Sequence, residues 1–331
     1  MRAGGQDFLF ATGRVGPPVG RPVSQLLPFL LTFMEALYTI ALTQMPGLTP
    51  QHVRTLLREM GSAAEVYAHR HELAGLLRRV LPAAGGRFAD WSGALQRAEE
   101  ELSFARRFRV EVLTYGTAAY PRRLRECPDA PTVLYFRGSA LLDAPRVVSV
   151  VGTRRCTPQA LDRTEAFVRQ LQARAPGTLV VSGLAYGIDH RAHVTALSCG
   201  LPTVAVMGTG LDRIYPAAHR DTAVRIMASG GGLLTEYPSR TIPFGENFRR
   251  RNRIVAGLAD AVVVVETPEH GGSMLTARLA ASYDRPVFAF PGSLDAEGGR
   301  GLNRLIRSQV AGLIASADDF LSDMGWAGEL P

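Results

Sequence analysis

Three segments establish the architecture of this chain: they read VVSVVGT at residues 147–153, LVVSGLAYG at residues 179–187 and TVAVMGTG at residues 203–210. In each, a short apolar run leads into a turn that contains glycine, and this pattern occurs five times between Arg146 and Pro291 with a helical stretch after every turn. Nearly continuous apolar runs are typical of strands buried on both faces of a parallel sheet. The intervals between them are long enough for right-handed helical crossovers. We therefore predict an α/β fold with a doubly wound, extended Rossmann-like, mostly parallel sheet.

Two further strands precede this region, and the segment Ala119 to Gly138 forms a proline-rich entry to the second of them. The tail after Ala311 is predicted to end in a short acidic helix and to add no further domain. The predicted strands are Val110–Thr114, Val133–Phe136, Val147–Val151, Leu179–Ser182, Thr203–Met207, Leu233–Glu236, Ala261–Glu266 and Val287–Phe290.

The glycine turns are predicted to lie together, because the carboxyl ends of parallel strands meet at one edge of a sheet. Helix N-termini and bare backbone N–H groups at such an edge bind anions. The edge is therefore predicted to bind phosphate. The turns are residues 151–154, 182–187, 207–210, 236–238 with Gly245 further on, and 266–273.

The charge of the chain is unevenly distributed. All 37 basic residues of the Lys+Arg count are arginine, and the formal net charge is +7. Residues 146–253 contain 15 arginines and 7 acidic residues, whereas residues 254–331 contain 5 arginines and 10 acidic residues. This asymmetry indicates a surface for a polyanion and a separate surface for a protein partner.

The missing amino acids exclude several classes of protein. Without lysine the chain has no Walker-type P-loop, no Schiff-base lysine and no lysine-dependent kinase site. Its three cysteines, Cys127, Cys156 and Cys199, lack CxxC spacing, and His190 and His193 at i and i+3 have no further ligands nearby. We therefore expect no disulfide framework, no metal site and a reducing, cytoplasmic location.

The N-terminal third differs in composition from the rest. Residues 1–28, rich in glycine, proline and arginine, are predicted to be disordered, and residues 29–109 to form an all-α domain. The apolar segment Leu26 to Leu42 is interrupted by Pro28 and Glu35, so we interpret it as a core helix and not as a signal peptide or membrane span. Residues 45–49 (MPGLT) with the helix after them are either one arm of a helix-hairpin-helix or an ordinary turn between packed helices.

Several turns carry residues suited to nucleic acid. Gly152 lets the backbone approach a phosphate, and Arg154 adds a charge-assisted contact, although the glycine alone also suits a tight turn. Residues 244–253 (FGENFRRRNR) place Arg249 and Arg253 on one helix face, which is either a phosphate contact or a solvated charge run. Tyr215 is a candidate for stacking a base or packs under its own loop.

A set of long motifs in fixed order between Ala119 and Ser308 resembles the DprA (Smf) family of DNA-processing proteins. They read VVSVVGTRRCTP, VVSGLAYGIDHRAHVTAL, TVAVMGTGLDRIYPAAHR, GGLLTEYP, FRRRNRIVAGLADAVVVVE, GGSMLTARLAASYDRPVFAFPGS and GLNRLIRS. The resemblance implies a protein without catalytic reaction or cofactor that binds and protects single-stranded DNA in natural transformation and loads the RecA recombinase. It also implies a homodimer formed by the sheet domain (residues 110–325), a SAM-like N-terminal domain, and single-stranded-DNA-binding protein as a further partner.

The resemblance carries over to individual residues. Gly152, Thr153 and Arg154 match the turn of the family that grips phosphate. Its basic Phe-x-x-Arg-Asn-Arg element is matched by Phe248, Arg251, Asn252 and Arg253, and the same edge is lined by Ser182, Gly183, Gly208, Gly210, Tyr215 and Pro216. With the arginines and glycines of the turns described above, the predicted DNA-contacting residues are Gly152, Thr153, Arg154, Arg155, Ser182, Gly183, Gly208, Gly210, Tyr215, Pro216, Phe248, Arg249, Arg251, Asn252, Arg253, Gly271, Gly272 and Ser273. Leu201 and Ala217 stand where many relatives carry lysine, and the C-terminal winged helix of many relatives is not expected here. Together with the acidic charge after Ile254, the resemblance implies a dimer or partner surface at Leu279, Tyr283, Leu302, Leu305 and Ile306.

The competing hypothesis is a nucleotide-processing hydrolase of the lysine-decarboxylase-like phosphoribohydrolase type. Its acid or base would be Glu266, Glu236 or Asp189 at the same sheet edge. Ala277 and Arg278 occupy the region where those enzymes need an acid, and the GxG at Gly208 lacks the third glycine of a dinucleotide site. The sequence therefore favours DNA binding over catalysis.

Overall fold

The computed structural model describes residues 23–85 and 88–327, which divide into two compact units. The helical unit contains the described residues up to 120 and residues 129–136, and the sheet unit contains residues 121–128 and 137–327. Of the segment 1–28, which is predicted to be disordered, residues 1–22 lie outside the described residues. The first described helix begins at Val23. The predicted boundary after residue 109 stays a prediction.

The helical unit begins with six helices whose ends follow from local capping. Thr49 accepts a hydrogen bond from His52 N, and the His52 side chain accepts from Thr49 N, so a capping box starts the second helix. Ser62 caps the third helix in a similar way through Glu65 N. The helices are α1 (Val23–Gln44), α2 (Pro50–Met60), α3 (Ala63–Ala68), α4 (Arg70–Val80), α5 (Pro82–Gly85) and α6 (Ser92–Phe108).

Helix α1 confirms the interpretation of the apolar N-terminal segment as a core helix. Its residues Leu37, Ile40 and Leu42 are buried. Tyr38 stacks on Tyr67 with ring centroids 4.4 Å apart, which places an aromatic pair beside this core. Among the helices of the described chain, none combines the length and the apolar character needed to cross a bilayer.

An antiparallel pair of strands follows α6. Strand β1 (Glu111–Thr114) pairs with β2 (Val133–Gly138), with Glu111 opposite Phe136 and Thr114 opposite Val133. Most of this pair belongs to the helical unit, whereas the short helix α7 (Arg122–Arg125) between the two strands belongs to the sheet unit.

The sheet unit is built on seven parallel strands. In sheet order they are β6-β5-β4-β3-β7-β8-β9. Val147 pairs with Leu179 on one side of β3, and Val148 pairs with Ala261 on the other side. The strands are β3 (Val147–Val151), β4 (Leu179–Ser182), β5 (Thr203–Val206), β6 (Gly232–Thr235), β7 (Ala261–Val264), β8 (Val287–Ala289) and β9 (Gly312–Leu313).

The strand order reverses between β3 and β7, and this reversal creates a crevice for a ligand at the carboxyl edge of the sheet. The chain runs outward from β3 through β6 and then returns to place β7 on the opposite side of β3. The loops after β3 and β7 therefore leave the sheet in different directions and open a crevice between them, where ligands bind in open α/β sheets. The helices of this unit after α7 are α8 (Pro158–Arg174), α9 (Ile188–Cys199), α10 (Arg220–Ala228), α11 (Gly245–Leu258), α12 (Gly272–Ser282), α13 (Glu297–Arg307) and α14 (Ala317–Asp323).

The predicted doubly wound fold is confirmed, and every predicted strand is present with its ends shifted by no more than two residues. Strand residues such as Val148, Val180 and Val263 are fully buried, which explains their uninterrupted apolar sequence. The sequence missed β9, because two residues are too short to show a periodicity.

Candidate nucleic-acid interface

A cleft of about 1250 Å³ opens at the carboxyl edge of the sheet unit, where the strand order reverses. The loops after β3, β4 and β7 and the N-terminal parts of α11 and α12 line it. Several of the predicted DNA-contacting residues meet there. The cleft is lined by Gly152, Thr153, Arg154, Arg155, Gly183, Tyr215, Phe248, Arg249, Arg251, Asn252, Gly271, Gly272 and Ser273.

The floor of the cleft is organised by one buried arginine. Arg251 is only 4% exposed, and its Nη1 donates to the carbonyl of Gly183 at 2.6 Å and to the carbonyl of Val206. The backbone N–H of Gly183 in turn donates to Asp189 Oδ2 at 3.1 Å. Arg251 therefore connects α11 to the ends of β4 and β5.

Arg251 and Asp189 are both charged groups in a poorly solvated place. Burial raises the pKa of the Asp189 carboxyl, although the charge of Arg251 and the hydrogen bonds to the carboxyl act in the opposite direction. Burial also lowers the pKa of the Arg251 guanidinium. For both groups, burial therefore has a larger effect on the pKa than the attraction between the two charges. Burying the two groups costs free energy, which their hydrogen bonds offset.

Two glycines at the carboxyl ends of β4 and β5 are required by close packing. A Cβ at Gly183 would collide with the guanidinium of Arg251, and a Cβ at Gly208 would collide with the ring of Phe248. These glycines therefore give room to the side chains of α11. Gly208 does not line the cleft itself, and the same is true of Ser182, Gly210, Pro216 and Arg253.

The rim of the cleft carries exposed cationic and aromatic groups. Arg154 and Arg155 are exposed on the loop after β3, and Arg249 is exposed on α11. The Arg154 Cζ atom lies 5.9 Å from the centroid of the Phe248 ring, and this ring lies 5.2 Å from that of Tyr215. Tyr215 is 44% exposed. The rim therefore combines the two kinds of side chain that bind phosphates and bases in single-stranded nucleic acids.

The predicted arginine cluster divides according to burial. Arg249 forms an exposed pair with Glu246, at 3.2 Å. Arg253 pairs with Glu236, and both of these side chains are largely buried. Asn252 donates from Nδ2 to the carbonyl of Gly272 at 3.2 Å and so joins α11 to α12.

Helix N-termini supply further donors to the cleft. Helix α12 begins at Gly272, and α11 begins at Gly245. Within residues 23–85 and 88–327, no side chain caps either of these two N-termini. Their first backbone N–H groups are therefore suited to an anion. The Ser273 hydroxyl, by contrast, donates to Thr267 Oγ1 at 2.8 Å in a buried position.

The three acids of the hydrolase hypothesis are all engaged by neighbouring groups. Glu266 Oε2 accepts from both the N–H and the hydroxyl of Thr157, at 2.9 and 3.1 Å. Glu236 pairs with Arg253, and Asp189 accepts from Gly183. Each carboxylate thus holds a loop or helix in place.

The sequence did not single out several residues that line the cleft. Phe244 is 63% exposed at the start of α11, and Arg278 lies exposed on α12. An aromatic residue directly before a basic helix is a usable signal for Phe244, whereas Arg278 has no local signal. The contribution of both depends on how α11 and α12 approach the loop after β3.

The predicted dimer surface is only partly exposed. Leu302 and Leu305 are 1% and 2% exposed, because they form the inward face of α13. Leu279, Tyr283 and Ile306 are half-buried. The accessible part of the predicted dimer surface therefore consists of these three residues.

Comparisons with known proteins agree with this geometry. The model of the family described as DNA recombination-mediator protein A matches residues 111–325. Protein Smf of Synechocystis sp. is 39% identical over 221 residues, and the match covers 65% of this chain and 54% of that protein. The chain thus spans about half the length of this curated relative.

Two solved structures share the fold. DNA processing protein A of Streptococcus pneumoniae has a TM-score of 0.60 and 31% identity, with 83% of this chain and 98% of that chain covered. DNA processing protein A of Helicobacter pylori, described with its mode of binding single-stranded DNA, has a TM-score of 0.58 and 32% identity, covering 65% and 95%. Because the family match extends over more than half of the sequence, this chain belongs to the DNA recombination-mediator protein A family.

Proposed function

We propose that this protein binds single-stranded DNA along the cleft and acts as a recombination mediator without catalysing a reaction. The observation that carries this proposal is the rim, where Arg154, Arg155 and Arg249 are exposed beside the aromatic pair Tyr215 and Phe248. Binding of single-stranded DNA by the Helicobacter pylori relative supports it.

Single-stranded DNA suits the cleft for two physical reasons. Guanidinium groups and uncapped helix N-termini neutralise a backbone that carries one charge per nucleotide. Exposed aromatic rings stack on bases, which are accessible in a single strand and hidden in a duplex. The volume of about 1250 Å³ also exceeds what one small ligand fills, and the cleft is therefore suited to several consecutive nucleotides.

In this proposal the exposed arginines contact DNA, whereas the largely buried Arg251 and Arg253 support the site. Arg154, Arg155 and Arg249 contact phosphates in this proposal, together with the backbone of Gly152, Gly271 and Gly272. The predicted contact at Thr153 does not come from its backbone, because Thr153 N donates to the carbonyl of Glu266 at 2.8 Å. Arg251 and Arg253 hold the floor of the cleft through Gly183, Val206 and Glu236. These two arginines therefore support the site from below the DNA.

We further propose a cytoplasmic homodimer that places RecA on the bound strand, with single-stranded-DNA-binding protein as an additional partner. The half-buried residues Leu279, Tyr283 and Ile306 supply apolar area for the dimer or partner contact. The six helices α1–α6 form the SAM-like domain in this proposal.

The first test is a titration of the full chain with fluorescently labelled oligonucleotides, followed by anisotropy. We expect tight binding to a single strand, weaker binding to the duplex of the same length, and little preference among sequences. Log affinity should fall with log salt concentration by about 0.7 for each phosphate contact. Equal affinity for the duplex would contradict binding through stacked bases.

A parallel incubation with nucleoside monophosphates tests the hydrolase alternative. Because Glu266, Glu236 and Asp189 are held by Thr157, Arg253 and Gly183, we expect no release of base. Chromatography of the mixture measures this release directly. Base release that disappears in a Glu266→Gln variant would establish the enzymatic function instead.

A further inference from the structure

An exposed tyrosine lies just outside the cleft, in the loop between β4 and α9. Tyr186 is 51% exposed and does not line the cleft. Large aromatic side chains bury most of their surface in most proteins, and half of this ring is open to solvent. The residues around this loop keep the Tyr186 ring in its exposed position.

The backbone of this loop adopts an unfavourable conformation. Leu184 has a φ of +57°, in the left-handed region that residues with a side chain rarely adopt, while its own side chain is fully buried. Gly187 has a φ of +77°, which glycine tolerates without strain. Strained backbone of this kind persists only where surrounding contacts enforce it, and it concentrates at functional sites.

Two stacked histidines enforce the conformation. His219 Nδ1 donates to the carbonyl of Leu184 at 2.9 Å. The His219 ring stacks on His190 with centroids 3.9 Å apart and planes 11° apart, and His190 Nε2 lies 3.0 Å from Thr222 Oγ1. Tyr186 itself rests against His219, with centroids 4.7 Å apart and planes at 67°. One side of the tyrosine is therefore supported while the rest of the ring stays accessible.

The loop is in direct contact with the phosphate-binding turn proposed above. A Cβ at Gly187 would collide with the carbonyl groups of Thr153 and Arg154, so the two backbones touch. Ile188 N also donates to the carbonyl of Thr153 at 3.4 Å. Tyr186 directly precedes Gly187 and therefore belongs to the segment that touches the Arg154 turn, while its exposed ring lies outside the cleft.

We propose that Tyr186 is a second base-stacking site, which binds a nucleobase of single-stranded DNA after the strand has passed Arg154 and left the cleft. This inference rests on the proposed function and extends the DNA path beyond the cleft. A strand whose phosphate is bound at Arg154 presents further bases next to that phosphate, and Tyr186 supplies an exposed ring on the loop that touches the Arg154 turn. Base-aromatic stacking tolerates any base, so this site adds affinity without sequence preference.

The test compares Tyr186→Ala and Tyr186→Phe with the unchanged protein. The DNA ligands are an oligo-dT strand and a strand of the same length and phosphate number with abasic sites at both ends, so that an abasic end occupies the site in either strand direction. Anisotropy gives the affinity of every pair, and thermal unfolding shows whether each variant is folded. Unchanged protein that fails to bind oligo-dT would refute the proposed function, whereas the comparisons below address Tyr186 alone.

We expect Tyr186→Ala to bind oligo-dT about 5- to 150-fold more weakly, since removal of a stacked aromatic ring costs about 1–3 kcal/mol per base. Tyr186→Phe should bind like the unchanged protein, because stacking needs the ring and not the hydroxyl. On the strand whose abasic end occupies the site, the difference between Tyr186→Ala and the unchanged protein should shrink to about 2-fold or less. An equal loss on both strands, an unchanged affinity of Tyr186→Ala, or a loss in Tyr186→Phe would each overturn the proposal.

Discussion

Replacing Arg251 by methionine separates the structural role of this arginine from a direct role in DNA binding. Methionine matches the stem of arginine and lacks the guanidinium, so the change removes the donors to Gly183 and Val206 and leaves the Asp189 carboxylate without its buried cationic neighbour. An unsatisfied buried acceptor costs about 1–3 kcal/mol. Loss of the nearby positive charge also makes the ionised form of the Asp189 carboxyl less favourable.

These two contributions overlap, and Asp189 keeps the hydrogen bond from Gly183 N. The apolar methionine also regains some packing in the space of the arginine stem. We therefore expect the free energy of unfolding to fall by about 2–5 kcal/mol, since two buried carbonyls lose their donor at about 1–3 kcal/mol each, and this is a large fraction of the about 5–15 kcal/mol that stabilises a typical domain. The matched control is Arg249→Met on the same helix, whose exposed side chain should change stability by about 0.5 kcal/mol or less.

Urea unfolding followed by circular dichroism measures the difference. Burial raises the pKa of Asp189, and loss of the Arg251 charge raises it further, because that charge favours the ionised carboxylate. Part of the lost stability should therefore return as the pH falls and the carboxyl takes up a proton. The reasoning is refuted if Arg251→Met unfolds like the unchanged protein while it loses affinity for single-stranded DNA.

Three more outcomes are expected. Arg154→Glu should weaken single-stranded DNA binding at least about 10-fold and reduce the slope of log affinity against log salt concentration by about 0.7. The exposed control Arg225→Glu on α10 should change neither quantity, and anisotropy at several salt concentrations measures both. Alanine at Leu279 and Ile306 together should shift the protein toward the monomer in sedimentation velocity, and a persistent dimer would place the interface elsewhere. Burial, then the charges of His190, Arg251 and His219, lowers the pKa of His193 to about 3 from 6.5. At a pH below the unfolded pKa, folded protein therefore binds fewer protons than unfolded protein, and the free energy of unfolding falls as the pH is lowered. From about pH 7 to about pH 5, His193 alone should lower it by about 2 kcal/mol. Urea titrations at several pH values should show a smaller loss in His193→Leu.

The division of roles among the arginines shows where prediction from sequence ends. The spacing of Arg249 and Arg253 places them on one side of an ideal helix, and both were predicted to contact DNA. In the folded chain only Arg249 is exposed, because Glu236 from the loop after β6 covers and pairs with Arg253. Helical spacing describes one element and contains no information about the neighbour that packs on it.

The same limit applies to the apolar residues of α13. Leu302 and Leu305 were predicted at a dimer or partner surface, but they are buried in the protomer. A leucine that faces the core of its own chain and a leucine that faces a partner look alike in a sequence, since both are apolar positions on an amphipathic helix. Ile306, the next residue on the helix, is half-exposed and stays in the proposed interface.

By itself the sequence determined the order of strands and helices, the parallel sheet and the edge at which the glycine turns meet. These properties follow from short apolar runs and turn residues, which act through local backbone preferences and burial on both faces of a sheet. Only the tertiary structure decided that Arg154 reaches the rim, that Arg251 supports the floor and that Tyr186 stands beside Arg154. These placements depend on contacts between residues far apart in the chain, because burial, ion pairing and exposure arise from the packing of whole elements.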